Sequence, residues 1–215
     1  MDNSILQNLR EDYRLRAFDI ADAAADPFEQ FRLWFDDALE AKILEANAMT
    51  LATASSDGIP NARIVLLKGF DAEGFTFYTN YDSAKGKELE TNPHAVLVFN
   101  WLDLQRQVRI SGAVQRVDNQ TSSDYFARRP KSSQIGAWAS PQSQIIPNRL
   151  FLETKEQMLA AQFANADALP RPAHWGGYAV KPTWIEFWQG RSSRLHDRIR
   201  YDFVDGVWQK VRLAP

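Results

Sequence analysis

The spacing of apolar residues predicts an amphipathic helix near the start of the chain. Its apolar positions, which recur at helical intervals, are Phe28, Phe31, Phe35, Ala38 and Leu39. Asp26 stands at the N-cap, Pro27 at the first helical position, and Glu29 completes a capping box, so we expect the helix to begin there. Residues 1–25 are polar and weakly patterned, and we expect a flexible arm ahead of a single domain over residues 26–215.

Short strands separated by turns are predicted for most of the remaining chain. The aromatic and β-branched stretches are residues 49–54, 62–67, 75–79, 95–101, 105–117 and 207–213. Helices are predicted over residues 84–90 and near 122–128 and 149–163. Strands therefore outnumber helices, and most are joined by turns of hairpin length. This pattern favours a mainly β fold with flanking helices (α+β), an antiparallel, Greek-key-like barrel.

Composition narrows the class of protein. Of 215 residues, 45% are hydrophobic and 12% aromatic, as expected of a domain with a sizeable core. The formal net charge of −2 argues against a general binder of nucleic acid or membrane surfaces, which would be basic. The absence of cysteine excludes disulfides and thiolate metal sites, and three scattered histidines give no metal-ligand pattern. Without a signal-peptide pattern or an apolar run of about 20 residues, we expect a cytoplasmic protein with no membrane span.

The segment richest in candidate chemistry lies near the C-terminus. Trp184–Trp188 is predicted to be a strand, and Gln189-Gly190 indicates a turn after it. If the following residues are extended, Arg194, His196 and Arg198 share one face. Two guanidiniums beside an imidazole suit a planar, anionic ligand. The residues alone fit equally well a buried aromatic strand, surface ion pairs at the two arginines and a histidine bonded within the fold.

Three further groups of polar residues could each hold an anion. They are Arg63 with Lys68 at the two ends of a strand, Ser83 with Lys85 at a helix N-terminus, and Tyr125 with Arg129 and Ser133 in a basic segment. A helix N-terminus attracts anions, and guanidinium groups form charge-assisted hydrogen bonds with phosphate. Each group, taken alone, is also explained by strand ends that reach water, an ordinary N-cap or a solvated basic helix end.

A series of motifs taken together resembles the pyridoxine (pyridoxamine) 5′-phosphate oxidases, a family of FMN enzymes. In chain order these are Arg63-Ile-Val-Leu-Leu-Lys68, Phe77-Tyr-Thr-Asn80, Arg106-Gln-Val108, Arg129-Pro130, Ser133-Gln-Ile-Gly-Ala-Trp138, Gln142-Ser143, Trp175-Gly-Gly177 and Ile185–Arg198. The resemblance covers nearly the whole chain. It implies a split β-barrel that binds FMN at the interface of a homodimer. It also implies oxidation of pyridoxine or pyridoxamine 5′-phosphate to pyridoxal 5′-phosphate, with oxygen as acceptor and hydrogen peroxide, plus ammonia from the amine, as products.

The resemblance also implies roles for individual residues. FMN would be contacted by Arg63, Ile64, Val65, Leu66, Leu67, Lys68, Tyr78, Thr79, Lys85, Gln107, Gln142, Ser143, Trp188 and Arg198. The substrate would be held by Lys68, Tyr125, Arg129, Ser133, Arg194, Leu195 and His196, with an arm of Arg10, Glu11, Asp12 and Tyr13 closing over it as a lid. Arg194 and His196 would be the catalytic pair, and no metal is implied.

Two positions depart from the family pattern. The family commonly has Arg-Lys after the serine at the flavin phosphate, where this chain has Ala84-Lys85. A hydrogen bond to a charged group contributes about 1.5–3 kcal/mol, so we expect weaker FMN binding unless Lys87 compensates. The segment Glu45–Met49 lacks the proline that the family places after its acidic residue.

Other functions remain compatible with the sequence. A related split-barrel flavoprotein could act on another ring, as the oxidases of phenazine synthesis do. A carrier could bind flavin or pyridoxal phosphate without turnover. Aromatic and arginine side chains on barrel strands could bind single-stranded nucleic acid, although the net negative charge argues against it. Arg129, Ser133, Arg194 and His196 favour a phosphorylated pyridine as substrate and the oxidase reading.

Overall fold

The structure is a computed structural model that describes residues 12, 13, 15–167 and 169–215. Its strands are β1 (Ala48–Ala54), β2 (Pro60–Leu66), β3 (Gly69–Asp71), β4 (Gly74–Asn80), β5 (His94–Trp101), β6 (Arg106–Arg116), β7 (Trp175–Gln189), β8 (Asp197–Val204) and β9 (Val207–Arg212). Its α-helices in this part of the chain are α1 (Pro27–Glu40), α2 (Ala84–Thr91), α3 (Asn119–Arg128), α4 (Lys131–Ala139) and α5 (Arg149–Gln162). Short 3₁₀ turns cover Leu102–Leu104 and Ser192–Arg194.

The strands form one sheet of mainly antiparallel type. Its order is β2-β1-β5-β6-β7-β4-β3, with β8 paired to β7 and β9 paired to β8. The pairs β3–β4, β4–β7, β7–β8 and β8–β9 are antiparallel. Six of the seven predicted strands have bounds within two residues of those expected. The seventh, predicted at Trp184–Trp188, is the end of the longer β7, which begins at Trp175.

The predicted start of α1 is confirmed. The carboxylate of Asp26 accepts hydrogen bonds from the backbone N–H groups of Phe28 and Glu29, at 2.8 and 3.0 Å. Glu29 itself pairs with Arg32 one turn later. A side-chain N-cap of this kind contributes about 1 kcal/mol. The helix buries Phe31 and Ala38 as the periodicity predicts, and it also buries Trp34, whereas the predicted core position Leu39 is exposed.

The chain divides into two compact units. One comprises Met1–Met49, Leu97–Ser111 and Pro182–Pro215, and the other comprises Thr50–Val96 and Gly112–Lys181. We call them the terminal unit and the central unit. The division into an arm over residues 1–25 and one domain over 26–215 stays a prediction.

The terminal unit is built around aromatic side chains. The ring centroid of Trp34 lies 5.0 Å from that of Phe18 and 5.2 Å from that of Phe187. Burial of each such side chain contributes about 1.5–3 kcal/mol. Arg106 is also buried here: its guanidinium lies 4.3 Å from the Trp34 ring centroid and pairs with Asp37 at 2.6 Å. A cation is tolerated at this depth because it has both a ring face and a carboxylate.

The central unit carries the second core, formed by Phe126, Ile135, Leu169 and Trp175. The β4–β7 register places Tyr78 opposite Gly177. A Cβ at position 177 would lie 2.8 Å from the Tyr78 ring, so glycine allows this close approach. No helix in the described part of the chain is long and apolar enough to span a membrane.

Candidate active site

A cleft of about 960 Å³ opens in the central unit. Its walls come from β2, the end of β4, the start of α2, the junction of α3 with α4, and the loop that follows α4. Most of the predicted ligand-binding residues of this unit line it: Arg63, Ile64, Val65, Leu66, Lys68, Tyr78, Thr79, Lys85, Tyr125, Arg129, Ser133, Gln142 and Ser143. The fold therefore gathers residues that are up to 80 positions apart in the sequence, from 63 to 143.

One end of the cleft contains a buried lysine with neutral partners. Lys85, only 7% exposed, donates to Gln142 Oε1 at 3.3 Å and to Ser83 Oγ at 3.4 Å. Thr79 donates to the same amide oxygen, which holds Gln142 in place. Burial lowers the pKa of the Lys85 ammonium, and the nearby Arg63 guanidinium lowers it further. A desolvated cation that lacks a close carboxylate is suited to an anionic ligand.

Arg63 stands beside Lys85 and is held firmly. Its guanidinium donates to Glu88 Oε2 at 2.9 Å and to the carbonyl of Leu51 at 3.2 Å, and it also contacts Thr53. Although burial raises the pKa of the Glu88 carboxyl, hydrogen bonds from Thr53, Asn61 and Arg63 outweigh it and keep this pKa low. The arginine is thus fixed by an ionised carboxylate that the sequence analysis missed, because nothing local links position 88 to position 63.

The other end of the cleft is lined by stacked rings and a partly unpaired arginine. Tyr78 and Tyr125 stack with centroids 3.9 Å apart, and Trp175 continues the stack 5.5 Å from Tyr78. The guanidinium of Arg129 lies 4.6 Å from the Trp175 centroid, and its Nη1 is buried without a hydrogen-bond partner. Burial lowers the pKa of Arg129. A buried guanidinium nitrogen of this kind can be satisfied by the oxygen of a ligand or of an ordered water.

Helix α4 adds a second anion-binding feature at this end. Its N-cap is Pro130, which has no side chain able to accept from the first-turn N–H groups. Ser133 lies in that first turn and lines the cleft. The free N–H groups and the positive end of the helix dipole favour an anion. Arg129, Ser133 and the helix terminus together form a site suited to a phosphate group.

The C-terminal motif belongs to the terminal unit. Trp188 is the penultimate residue of β7, as predicted for this strand, and the turn begins at Gly190. Arg198, on β8, donates through Nε to Glu186 Oε1 at 2.8 Å and through Nη2 to Oε2 at 3.2 Å. Arg109 reaches the same carboxylate at 3.3 Å. Arg198 therefore forms an ion pair, although with a buried carboxylate rather than at the surface as that interpretation expected, and its contact with FMN stays a prediction.

The expected extended run from Arg194 to Arg198 is wrong at its first residue. Arg194 lies in a 3₁₀ turn with φ of 60°, and Ser193 before it has φ of 56°. The strand begins only at Asp197, so strand alternation cannot place Arg194 on one face with His196 and Arg198. Two consecutive left-handed residues that are not glycine cost about 1–3 kcal/mol each, and such strain is concentrated at functional sites.

His196 has a defined tautomer in this turn. Its Nδ1 accepts a hydrogen bond from the backbone N–H of Arg191 at 3.1 Å, so the neutral ring carries its proton on Nε2. Burial lowers the pKa of His196, as does the neighbouring Arg194 guanidinium. The ring packs against Trp188 with centroids 4.5 Å apart. At neutral pH the side chain therefore presents an N–H donor.

Tyr13 of the predicted lid contacts this motif. Its ring lies edge-on to Trp188 at 5.9 Å and 6.0 Å from His196. A Cβ at position 190 would meet the tyrosine ring at 2.8 Å, so Gly190 provides the space that the ring occupies. Asp12 is described as well, whereas Arg10 and Glu11 lie outside the described residues.

Three other predicted residues do not line the cleft. Leu67 is buried, Gln107 is half-buried on β6, and Leu195 is 70% exposed in the turn. Leu67 lies just beyond the end of β2, between two residues that line the cleft, and its own side chain is buried. The ligand contacts assigned to all three stay predictions.

Comparisons with known proteins cover nearly the whole chain. The family model described as pyridoxamine 5′-phosphate oxidase matches residues 35–160, and that of the pyridoxine 5′-phosphate oxidase C-terminal dimerisation region matches residues 175–215. A pyridoxine/pyridoxamine 5′-phosphate oxidase of Salinibacter ruber is 54% identical over 214 residues, covering 99% of this chain and 100% of the relative. One of Cupriavidus metallidurans is 54% identical over 211 residues, covering 98% and 99%.

Two solved structures are similar in fold. PhzG from Burkholderia lata, in complex with tetrahydrophenazine-1-carboxylic acid, has a TM-score of 0.89 at 29% identity, covering 95% of this chain and 100% of its own. A pyridoxamine 5′-phosphate oxidase-related, FMN binding protein from Nostoc punctiforme has a TM-score of 0.68 at 18% identity, covering 86% and 97%. These likenesses confirm the predicted mainly β split-barrel fold.

Proposed function

Since the chain belongs to the pyridoxine/pyridoxamine 5′-phosphate oxidase family, we propose that it oxidises pyridoxine 5′-phosphate and pyridoxamine 5′-phosphate to pyridoxal 5′-phosphate. Oxygen is the acceptor and hydrogen peroxide the second product, with ammonia released from the amine. The observation that carries the substrate class is the buried, unpartnered Nη1 of Arg129 beside the first turn of α4. The match to a dimerisation region over residues 175–215 supports a homodimer.

The donor set at the lysine end of the cleft fits FMN. Lys85 is a buried cation without a close counter-ion, and Arg63 beside it is pre-oriented by Glu88. Gln142 and Ser143 lie on the facing loop and supply amide and hydroxyl groups for a polar ring edge. Lys85 and Arg63 would hold the phosphate. When bound, FMN supplies the acceptor for the hydride that leaves the substrate.

The ring-lined end of the cleft would hold the substrate phosphate. Arg129 donates the Nη1 hydrogens that have no protein partner, and Ser133 and Tyr125 add hydroxyl groups. Lys68 supplies a further positive charge at the cleft wall. Anchoring the phosphate in this way supplies binding energy for substrate capture, and its removal should therefore appear mainly in KM.

Two residues of the C-terminal motif would contact the pyridine ring. His196 offers an Nε2–H donor in a fixed tautomer, which can hydrogen-bond a ring substituent oxygen but cannot accept a proton at that atom while neutral. The planar guanidinium of Arg194 can stack on a ring or donate two parallel hydrogen bonds. We assign positioning of the ring to both and no general base to either.

Adding the guanidinium that the family commonly has should tighten FMN binding. Ala84 lines the cleft at the first position of α2, whereas the exposed Lys87 does not line it and so is poorly placed to compensate. We expect Ala84→Arg to lower the Kd for FMN about tenfold or more, because a charge-assisted hydrogen bond contributes about 1.5–3 kcal/mol. Fluorescence titration of apoprotein measures this. Lys87→Arg and Ala84→Gln are the matched controls, and equal affinity in Ala84→Arg and wild type would contradict the prediction.

FMN affinity should depend on the protonation of Lys85. A bound phosphate favours the charged ammonium, so its pKa rises on binding, and affinity falls as pH rises through the lowered pKa of the free protein. We expect this fall to begin at a lower pH than it would for an ordinary lysine, because burial lowers the pKa of Lys85. Lys85→Met should bind about 10- to 150-fold more weakly at neutral pH and lose this part of the pH dependence. Measuring the FMN Kd of wild type and Lys85→Met at each pH separates the titration of Lys85 from that of FMN itself. Parallel pH curves for the two proteins would refute the assignment of Lys85 to the FMN phosphate.

The proposed function is tested by a visible spectrum of the FMN-loaded protein. Adding pyridoxine 5′-phosphate without oxygen should bleach the flavin band, and admitting air should restore it with formation of peroxide and pyridoxal 5′-phosphate. A panel with pyridoxamine 5′-phosphate, unphosphorylated pyridoxine and a dihydrophenazine carboxylate discriminates between substrates. A spectrum that none of the B6 phosphates changes would reject the oxidase assignment, and bleaching by the phenazine alone would move the substrate to that class.

A further inference from the structure

The carboxylate of Asp197 joins three separate parts of the terminal unit. Its Oδ2 accepts from the backbone N–H of Phe18 and from Arg191 Nη1, both at 3.0 Å. Its Oδ1 accepts from Arg212 Nη1 at 2.9 Å. The side chain is only 16% exposed. All three contacts are N–H donors, so the site requires an ionised carboxylate rather than an amide.

The Arg191 contact links Asp197 to the strained turn. Arg191 is held at its side chain by Asp197 and at its backbone N–H by Nδ1 of His196. Ser193 and Arg194, which have left-handed backbones, lie in the sequence between Arg191 and His196. A conformation of this kind persists only when the surrounding contacts over-determine it. Asp197 supplies such contacts from outside the turn, through Phe18 and Arg212.

We propose that Asp197 is a positioning residue for the C-terminal motif, fixing the Arg191–His196 turn and with it the Nε2–H tautomer of His196. Its hydrogen bond to the turn is made to Arg191. The kinetic consequence rests on the proposed function, whereas the tautomer does not. FMN binding should be spared, because the neighbouring Arg198 is held by Glu186 and not by Asp197.

Nitrogen NMR of the FMN-loaded protein tests the tautomer directly. The chain has three histidines, so labelled imidazoles give few signals, and His196→Gln identifies the one that matters. Wild type should show an unprotonated Nδ1 and a protonated Nε2 at His196 near neutral pH. Asp197→Asn should convert this into an averaged mixture of tautomers. The matched control is Asp202→Asn, the same change on the same strand at an ion pair with Arg200 that does not contact the turn.

Steady-state kinetics test the consequence. We expect Asp197→Asn to reduce kcat/KM for pyridoxine 5′-phosphate about tenfold to 100-fold, since small displacements of positioning groups have effects of this size. The FMN Kd should stay within about twofold of wild type, and Asp202→Asn should match wild type throughout. If Asp197→Asn does not fold, Arg191→Gln removes one of the three contacts and should shift the tautomer in the same direction by less.

The outcomes separate this proposal from the proposed function. An unchanged His196 tautomer in Asp197→Asn, or an equal loss in Asp202→Asn, overturns the positioning role. A loss of FMN in parallel with activity also overturns it, because it indicates a general structural role. If wild type shows no turnover with either B6 phosphate, the proposed function fails, and the NMR comparison still decides whether Asp197 fixes His196.

Discussion

Replacing Arg129 by methionine should raise the KM for pyridoxine 5′-phosphate about 100-fold and leave kcat nearly unchanged. The guanidinium lines the cleft and has a buried Nη1 with no protein partner, so it has hydrogen-bond donors that a bound phosphate could use. Charge-assisted bonds to a phosphate contribute about 1.5–3 kcal/mol, which corresponds to a factor of about 10 to 150 in binding. Because the phosphate takes no part in the bond changes of the reaction, loss of the guanidinium that holds it should appear mainly in KM. Initial rates over a range of substrate concentrations measure both.

The adjacent Arg128 gives the matched control. It is exposed at the end of α3 and does not line the cleft, so Arg128→Met changes the same charge without changing the pocket. Arg129→Met should not lower Tm, since removing a buried, partly unpaired cation offsets the lost ring contacts with Trp175. A normal KM in Arg129→Met, or an equal increase in Arg128→Met, would contradict the assignment.

Local sequence signals predicted the helices whose ends have strong caps. Asp26 before Pro27 and Ser83 before Ala84 both start helices where expected. Helix α4 was missed because its first residues follow a proline without a capping side chain and include two serines. Its stability comes from tertiary contacts: the side chain of Gln134 donates to Ala127 O and Arg129 O and accepts from the N–H of Leu169. No local pattern contains such contacts.

In the candidate site, too, features marked by local sequence signals were predicted and features that depend on tertiary contacts were not. The cations of the cleft were predicted because charged residues at strand and helix ends are visible in the sequence. The partner of Arg63 was not predicted, since Glu88 lies 25 positions away, and neither was that of Arg198 in the C-terminal motif, which is Glu186, 12 positions away. The left-handed Arg194 was also unpredictable, because no glycine or asparagine marks the position and the backbone is held by contacts of the folded unit.

Replacing Arg194 by lysine should reduce kcat for pyridoxine 5′-phosphate about 100-fold while FMN affinity stays within about twofold of wild type. Lysine keeps the positive charge of arginine, and at φ of 60° it has the same backbone strain. The substitution therefore tests the planar, multiply donating guanidinium group alone. A point charge on a flexible stem cannot pin a ring in one orientation, and loss of orientation lowers the rate of the chemical step. Single-turnover bleaching of the flavin without oxygen measures that step apart from product release.

Arg200→Lys on β8 is the control, because it makes the same exchange at an arginine paired with Asp202. If Arg194→Lys turns over at the wild-type rate, the planar guanidinium has no role and a positive charge at this position is sufficient for turnover. If it instead raises KM with kcat unchanged, Arg194 contributes uniform binding rather than orientation. Arg194 is exposed and follows a second residue with a left-handed backbone, and strain of this kind is concentrated at functional sites. The lysine variant therefore tests whether the site needs the planar geometry of a guanidinium or only its charge.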